Sequence, residues 1–286
     1  MKAPNFAYVK PASLKHALDL LSTHAGSAIP LAGGQSLIAT LNLRLSAPQI
    51  LVDISELDEL KGIRMDDGVI HIGAGTIFAQ VASSPFVRRH LPLIAEALRH
   101  VAHVAIRNRG TIGGSLAYAD PAAEIPACSV ALDATFVLAG EKGERRVAAA
   151  DFYRGLFETD LRVGELLVAA RFPAQQAGHK WGFCELARRH GDFALAGLAA
   201  TAEQERDTIT SARVVYFGCT DRARLARRTA ERIRGARLPL SDPQQLSHDI
   251  AADLAPTDSP GLRAATKVKL ACVLTVRTFA ALRSVD

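Results

Sequence analysis

Ile106-Arg-Asn-Arg-Gly-Thr-Ile-Gly-Gly-Ser-Leu116, running on to Asp120-Pro-Ala-Ala-Glu124, sets a double glycine and two small hydroxyl residues inside an apolar stretch. A second double glycine stands upstream in Ile29-Pro-Leu-Ala-Gly-Gly-Gln-Ser-Leu37. One such pair is ordinary, because glycine is what a chain uses wherever φ must be positive. Two pairs, each beside a small hydroxyl residue, point to backbone amides bared toward one phosphate-bearing ligand. Convergent N–H groups bind anions at helix N-termini and in nests, and the hydroxyls of Ser36, Thr111 and Ser115 add donors. On spacing alone, two tight structural turns are the simpler reading.

Outward from these turns the chain reads as mixed. Residues 12–25 carry Leu14, Ala17, Leu18 and Leu21 at helical spacing behind a capping Ser13. A strand at 28–31 enters the first double glycine, Leu37 to Leu45 is ambiguous, and Pro48 to Ile54 is a buried strand ending in Asp53 and Ser55. Strands at 63–65 and 69–72 flank Asp66-Asp67-Gly68, Thr76 caps a helix to about Val81, and 91–102 is a helix with Pro92 in its first turn. Asp120-Pro121 opens a further helix, with Asp120 as its cap. Strands then follow at 135–139, 145–147 and 166–172, the last closed by Pro173. The polar stretch 174–180 is the linker candidate. Beyond it come a strand at 181–187, a helix or continued strand at 192–200, a strand at 209–219, an Arg-rich helix and a closing helix at 261–283. Without regular βαβ spacing, this is an α+β chain of two or three subdomains.

The bulk properties narrow the function classes. The chain has 286 residues, 49% hydrophobic and 22% charged, with net charge +5, which is a soluble globular composition with a mild preference for anionic ligands. No apolar run reaches the length of a membrane span, and the Lys-bearing N-terminus has no signal-peptide core. These features lead to the expectation of a cytoplasmic protein. Cys128, Cys184, Cys219 and Cys272 lie far apart, as buried free thiols do, so no metal of its own is expected.

Three further features have competing readings. Gly73-Ala-Gly75-Thr76 mimics a dinucleotide fingerprint but has Phe78 in place of the third glycine and no suitably spaced acid. Arg107 and Arg109 either neutralise a diphosphate or are surface charge. Asp221 to Arg237 is rich in arginine, as in a nucleic-acid helix. It has no aromatics, though, and Leu225, Ala226, Thr229 and Ile233 give it an apolar face, so a solvated or subunit-facing helix fits better. No Ser-His-Asp, Cys-His or paired-carboxylate catalyst is legible, which suits a protein whose chemistry belongs to a cofactor.

Ala32-Gly-Gly-Gln-Ser36, Ile72-Gly-Ala-Gly-Thr76, His103-Val-Ala-Ile-Arg-Asn-Arg-Gly-Thr111, Thr111-Ile-Gly-Gly-Ser115, Ala119-Asp-Pro-Ala-Ala-Glu124, Glu165-Leu-Leu167 to Arg171-Phe-Pro173, and Arg188-Arg-His-Gly-Asp-Phe-Ala194 form an ordered set. In these residues the chain resembles the FAD-binding medium subunit of molybdenum hydroxylases. The nearest type is the carbon monoxide dehydrogenase medium subunit, related to the flavin domain of xanthine dehydrogenase.

The resemblance implies a two-subdomain FAD-binding domain of the vanillyl-alcohol-oxidase type at 1–175 (subdomains about 1–55 and 56–175), then a smaller α/β C-terminal domain at 178–286. It implies that Ala32, Gly33, Gly34, Gln35, Ser36 and Leu37 cradle the FAD diphosphate, with Thr111, Ile112, Gly113, Gly114 and Ser115 on its opposite side. Glu124 approaches the flavin end, Leu167 packs beside the isoalloxazine, and Phe193 comes close to it from the C-terminal domain. Gln35 and Ser115 stand where many relatives carry His and Asn, and both still hydrogen-bond.

The resemblance further implies that the isoalloxazine is the redox centre and that no side chain is catalytic. The implied activity is electron transfer from [2Fe–2S] clusters through FAD to NAD, a quinone or O2, as an oxidoreductase subunit. The implied partners are a molybdopterin-binding large subunit and a [2Fe–2S] small subunit, in a dimer of heterotrimers with no nucleic acid. A free-standing FAD-dependent oxidoreductase and a non-catalytic nucleotide-binding module are the alternatives.

Overall fold

The computed structural model describes residues 2–240 and 243–285. The chain begins with a small parallel sheet. β1 (Ala7–Val9), α1 (Leu14–Thr23), β2 (Ala28–Leu31), α2 (Leu37–Asn42) and β3 (Ile50–Asp53) give the strand order β1-β3-β2. Ser13 caps α1 by accepting from the His16 N–H at 3.1 Å, and Ala17 and Leu21 bury its apolar face. The ambiguous stretch after the first double glycine resolves into the short helix α2.

The second sheet is antiparallel. β4 (Ile63–Asp66) and β5 (Val69–Gly73) form a hairpin around Asp67 and Gly68, both with positive φ. A run of short helices follows: α3 (Phe78–Ser83), α4 (Pro85–His90), α5 (Pro92–Ala97), α6 (Val104–Arg107), α7 (Ile112–Tyr118) and α8 (Glu124–Ala131). Then come β6 (Thr135–Gly140), β7 (Gly143–Ala148), α9 (Ala149–Phe152), a small β8–β9 hairpin (Tyr153–Gly155, Glu158–Thr159) and β10 (Leu166–Pro173). The sheet order is β4-β5-β10-β6-β7, so β10 closes the sheet between strands made much earlier.

The C-terminal unit folds a five-stranded antiparallel sheet against helices. β11 (Lys180–Ala187), β12 (Ala194–Glu205), β13 (Thr208–Phe217), β14 (Arg224–Leu225), α10 (Arg227–Ile233), α11 (Pro243–Leu254), α12 (Ala264–Ala280) and β15 (Arg283–Ser284) give the order β14-β13-β12-β11-β15. Alternate β11 residues face opposite ways. A Cβ on Gly182 would meet Thr278 of α12 at 2.4 Å, whereas Trp181 joins the core of the preceding unit.

Several expectations are corrected. Thr76 does not cap α3: Ile77 does, and the Thr76 hydroxyl instead ties to both backbone groups of Gly62. The helix expected over 91–102 is α5, only Pro92–Ala97. Asp120 is not a helix cap. Its carboxylate accepts from Ala122 N–H at 2.9 Å in an Asx turn, and α8 starts later, at Glu124. The 192–200 alternative resolves as strand β12, paired on both sides. The Arg-rich helix shortens to α10, because Arg224–Leu225 pairs with β13 instead. Its apolar face is real, since Ala226, Thr229 and Ile233 are buried. Among the described residues no helix is long and apolar enough to cross a membrane.

Candidate cofactor site

The first double glycine links β2 to α2 at the carboxyl end of the parallel sheet, the place where open α/β sheets leave a crevice. Gly34 has φ +73°, a left-handed conformation that favours glycine. Gln35 folds back, its side-chain amide donating to the Gly33 carbonyl at 2.9 Å. Among the described residues no protein acceptor takes the backbone N–H of Gly33, Gly34, Gln35 or Ser36. These amides lie beside a cleft of ≈460 Å³ whose wall includes Ala32, Gly33, Gly34, Gln35, Asp53 and Arg109. Arg109 is exposed there and has no side-chain partner among the described residues.

The second double glycine is a helix N-terminus. Thr111 caps α7, its hydroxyl oxygen accepting from the Gly114 N–H at 3.0 Å. The amides here are already spent, which corrects the idea that both turns bare them. Ile112 N–H donates to Thr76 O at 3.0 Å, Gly113 N–H to Ala74 O at 2.9 Å and Ser115 N–H to Thr111 O at 3.1 Å. What remains for a ligand is the hydroxyl of Ser115 and the O–H of Thr111. Gly113 is needed for packing, since a Cβ there would sit 2.3 Å from the Ala74 Cβ. The Gly73–Thr76 cluster is therefore the platform under the second turn and is no dinucleotide loop.

The two turns touch. A Cβ on Gly33 would lie 2.1 Å from the Arg109 carbonyl oxygen, so the first turn rests directly on backbone leading into the second. Arg107 separates from its neighbour in role. Its guanidinium donates to Val101 O at 2.7 Å and Ala102 O at 3.0 Å, clipping the loop before α6.

Glu124 opens α8, a helix buried along its whole length, and is 9% exposed. Burial, reinforced by the negative charges of Glu185 and Asp120, pushes its carboxyl up to about 8, although a backbone N–H pulls the other way. Glu185 on β11 is itself pushed up to about 7 by burial, and its Oε2 is buried without a partner among the described residues. Leu167 is 2% exposed, in the core beside a bulge in β10. Phe193 is 72% exposed, at the end of a loop whose Gly191 abuts the Ala102 carbonyl. The residues expected from the sequence thus fall on one contiguous pair of turns, a buried carboxyl on the next helix, a core leucine and an outward aromatic, and of them Ala32, Gly33, Gly34 and Gln35 line the cleft.

Sequence reasoning gave no role to Tyr8, Asn42, Asp53 and Ser55, which also line the cleft. Asp53 is 8% exposed and accepts from the Tyr8 hydroxyl and from the Ser55 N–H. Burial pushes its carboxyl up, but these hydrogen bonds outweigh it and hold it below the usual carboxylate range. The legible signal was an Asp at the carboxyl end of a buried strand. Missing from sequence was that this strand is the central one, next to the first turn.

A parallel-sheet crevice lined by free amides, backed by a second glycine turn, describes a protein that holds a diphosphate-bearing cofactor. Residues 4–175 match the family described as the FAD binding domain in molybdopterin dehydrogenase. Residues 181–282 match the CO dehydrogenase flavoprotein C-terminal domain. The carbon monoxide dehydrogenase medium chain of Hydrogenophaga pseudoflava is 40% identical over 75% of each chain. The alpha subunit of the 6-hydroxypseudooxynicotine dehydrogenase complex of Paenarthrobacter nicotinovorans is 41% identical over 88% of this chain and 83% of the relative. Among solved structures, carbon monoxide dehydrogenase from Hydrogenophaga pseudoflava superposes with TM-score 0.93 at 35% identity, covering 97% of both chains. Quinoline 2-oxidoreductase from Pseudomonas putida 86 superposes with TM-score 0.89 at 35% identity, over 98% of this chain and 97% of that one. The chain belongs to the FAD-binding medium subunits of the molybdenum hydroxylase family. Its fold is the FAD-binding domain of that family followed by the flavoprotein C-terminal domain, and its cofactor is FAD.

Proposed function

We propose that this chain is the electron-relay subunit of a molybdenum hydroxylase complex. A [2Fe–2S] partner delivers electrons to FAD here, and NAD, a quinone or O2 takes them away. The observation that carries the reading is the end-to-end likeness, over 97% of both chains, to one chain of a Cu,Mo-CO dehydrogenase. The absence of a legible side-chain catalyst agrees with it.

The residues present fit FAD. The amides of Gly33, Gly34, Gln35 and Ser36, which no group among the described residues uses, suit an anionic diphosphate, and Arg109 at the same cleft offers a compensating charge. Thr111 and Ser115 offer hydroxyls from the facing turn. Glu124, protonated over much of the neutral range, can donate or accept a hydrogen bond at the flavin end. Phe193, standing in solvent, is the aromatic we assign to an exposed ring edge. FAD supplies the redox chemistry by taking electrons one at a time or in pairs. The protein holds and orients it, and substrate oxidation lies on the molybdopterin partner.

The test is affinity purification of the tagged chain from its native host. The expected product is a yellow complex of three different chains with FAD, iron–sulfur and molybdenum, assembled as a dimer of heterotrimers. A yellow protein that purifies alone and is reduced directly by an organic substrate would instead establish a free-standing flavoenzyme.

A further inference from the structure

Asp53 carries the wrong sign of charge for what the rest of its cleft does. The backbone amides of Gly33, Gly34, Gln35 and Ser36, together with Arg109, suit an anion, yet a carboxylate stands on the same wall. Strand register puts it there. Asp53 ends β3, the central strand of the parallel sheet, and pairs with Leu31, two residues ahead of Gly33. The Ile54 N–H donates to the Leu31 carbonyl at 2.9 Å and locks that register where the two strands end.

The side chain is fixed in place and kept charged. Its Oδ1 accepts from the Ser55 N–H at 2.9 Å and its Oδ2 from the Tyr8 hydroxyl. Burial pushes the carboxyl up, but the Tyr8 and Ser55 hydrogen bonds, helped by the charge of Lys10, hold it below the usual carboxylate range. An ionised carboxylate offers about four acceptor sites, and Tyr8 and Ser55 do not fill them. Beside an anion cradle such a charge weakens the hold on a diphosphate unless the same ligand also donates to it. In a dinucleotide the donors one ester link from the phosphates are sugar hydroxyls, and the base lies farther out. The choice between the two sugars follows from the cleft wall, which takes Arg109 from the second segment but neither Ser115 nor Glu124. With Glu124 assigned to the flavin end, Asp53 falls to the adenosine half.

We propose that Asp53, oriented by Tyr8 and Ser55, accepts hydrogen bonds from the ribose hydroxyls of the adenosine half of FAD and makes the site selective for that sugar. This role rests on the FAD-holding function proposed above and adds to it the recognition of the second nucleotide. It also gives the carboxylate a reason to be where an anion binds, because each hydroxyl that donates to Asp53 offsets its repulsion of the neighbouring phosphates.

The test uses the full-length chain, stripped of flavin and reloaded with FAD or with FAD analogues whose adenosine lacks the 2′-hydroxyl, the 3′-hydroxyl or the 6-amino group. Dissociation constants are read from flavin fluorescence. The wild-type chain is expected to bind at least one deoxyribose analogue about tenfold or more weakly than FAD, the loss of one hydrogen bond to a charged acceptor. The analogue without the amino group should bind like FAD. Asp53→Asn keeps the shape of the side chain but removes its charge, and should weaken FAD about tenfold while erasing the preference for FAD over the deoxyribose analogues. That preference is a ratio measured on the wild-type chain, so it decides the matter even if the variant fails to fold. The proposal falls, with FAD binding untouched, if both deoxyribose analogues bind the wild-type chain as tightly as FAD. It falls too if only the analogue without the amino group is weakened, which moves the carboxylate to the base, or if a folded Asp53→Asn keeps the full preference. A wild-type chain that takes up no FAD overturns the FAD-holding function itself, and this role with it.

Discussion

Gly33 and Gly34 are neighbours with different physical reasons for being glycine, and the difference is measurable. At Gly34 the constraint is the positive φ, and the atom nearest an added Cβ is the Ile38 side chain at 3.2 Å, which can move. Gly34→Ala should therefore cost about 1–2 kcal/mol, the price of a left-handed conformation with a side chain. At Gly33 the obstruction is backbone, the Arg109 carbonyl at 2.1 Å and the Gly110 Cα at 2.8 Å. Gly33→Ala must push the two turns apart. We expect it to purify with well under half the wild-type flavin, by the 450 to 280 nm absorbance ratio, whereas Gly34→Ala keeps most of it. Equal flavin content in the two variants would show that turn-on-turn contact is not what shapes the cleft. The glycine pairs were visible in the sequence because doublets beside hydroxyl residues are conspicuous. Their jobs were not, because whether an amide is free or spent depends on which backbone lies opposite. Ile112, Gly113 and Ser115 look like donors in the string and are satisfied in the fold.

At the scale of elements, α8 and β11 bring two carboxyls together across the unit junction. The helix is buried on every side, so no amphipathic period marks its start and the Asp-Pro pair mislabelled it by a turn. Similarly, the alanines of 194–202 have helical propensity, but pairing with β11 and β13 overrides it. Strands with clean alternation and turns with Asp-Gly, such as β4–β5, were legible because their signal is local. Glu185 was not legible as a site neighbour, since only the sheet carries it to Glu124. Both carboxyls hold their protons to higher pH in the folded chain, Glu124 to about 8 and Glu185 to about 7, against an ordinary 4.5. The folded state binds more protons than the unfolded one across that window. Stability is therefore fully present below about pH 4.5 as far as these groups are concerned, and is lost as pH rises toward 8. For Glu124 the slope is at most ~1.4 kcal/mol per pH unit. Melting temperature should fall between pH 5 and 8, and Glu124→Gln should flatten that fall. A wild-type slope retained in Glu124→Gln would remove this carboxyl from the account.

At the scale of the whole molecule, the polar stretch at 174–180 reads as a linker, and the fold pins it along its length. Ala174 N–H donates to Gly68 O at 2.8 Å, Gln175 N–H to His90 O at 3.1 Å and Gly178 N–H to Val285 O at 3.0 Å. Composition reveals a loop, and only tertiary partners reveal whether it is pinned. The junction it crosses is a shared core. Trp181, Ala199, Val215 and Phe217 of the C-terminal sheet pack in one cluster with Ile125, Val130 and Phe136 of the FAD-binding unit. Gly218 N–H donates to Pro121 O at 2.7 Å, Thr201 Oγ1 to Ala131 O at 3.1 Å, and Arg213 to Val130 O at 2.9 Å. Two of these acceptors belong to α8, whose first residue is Glu124, and Pro121 lies just ahead of it. Loosening the C-terminal sheet must then disturb α8, whose Glu124 we propose meets the flavin. Phe217 is fully buried with its ring against Gly197, where an added Cβ would come within 2.1 Å. Phe217→Ala leaves a cavity in that cluster and should cost ~3–5 kcal/mol. If the two units melt as one, the flavin fluorescence rise on release and the loss of far-UV ellipticity share a midpoint in wild type, and Phe217→Ala lowers both together. A variant in which the C-terminal unit melts first, while flavin stays bound to a folded remainder, would show that the shared core does not couple the units.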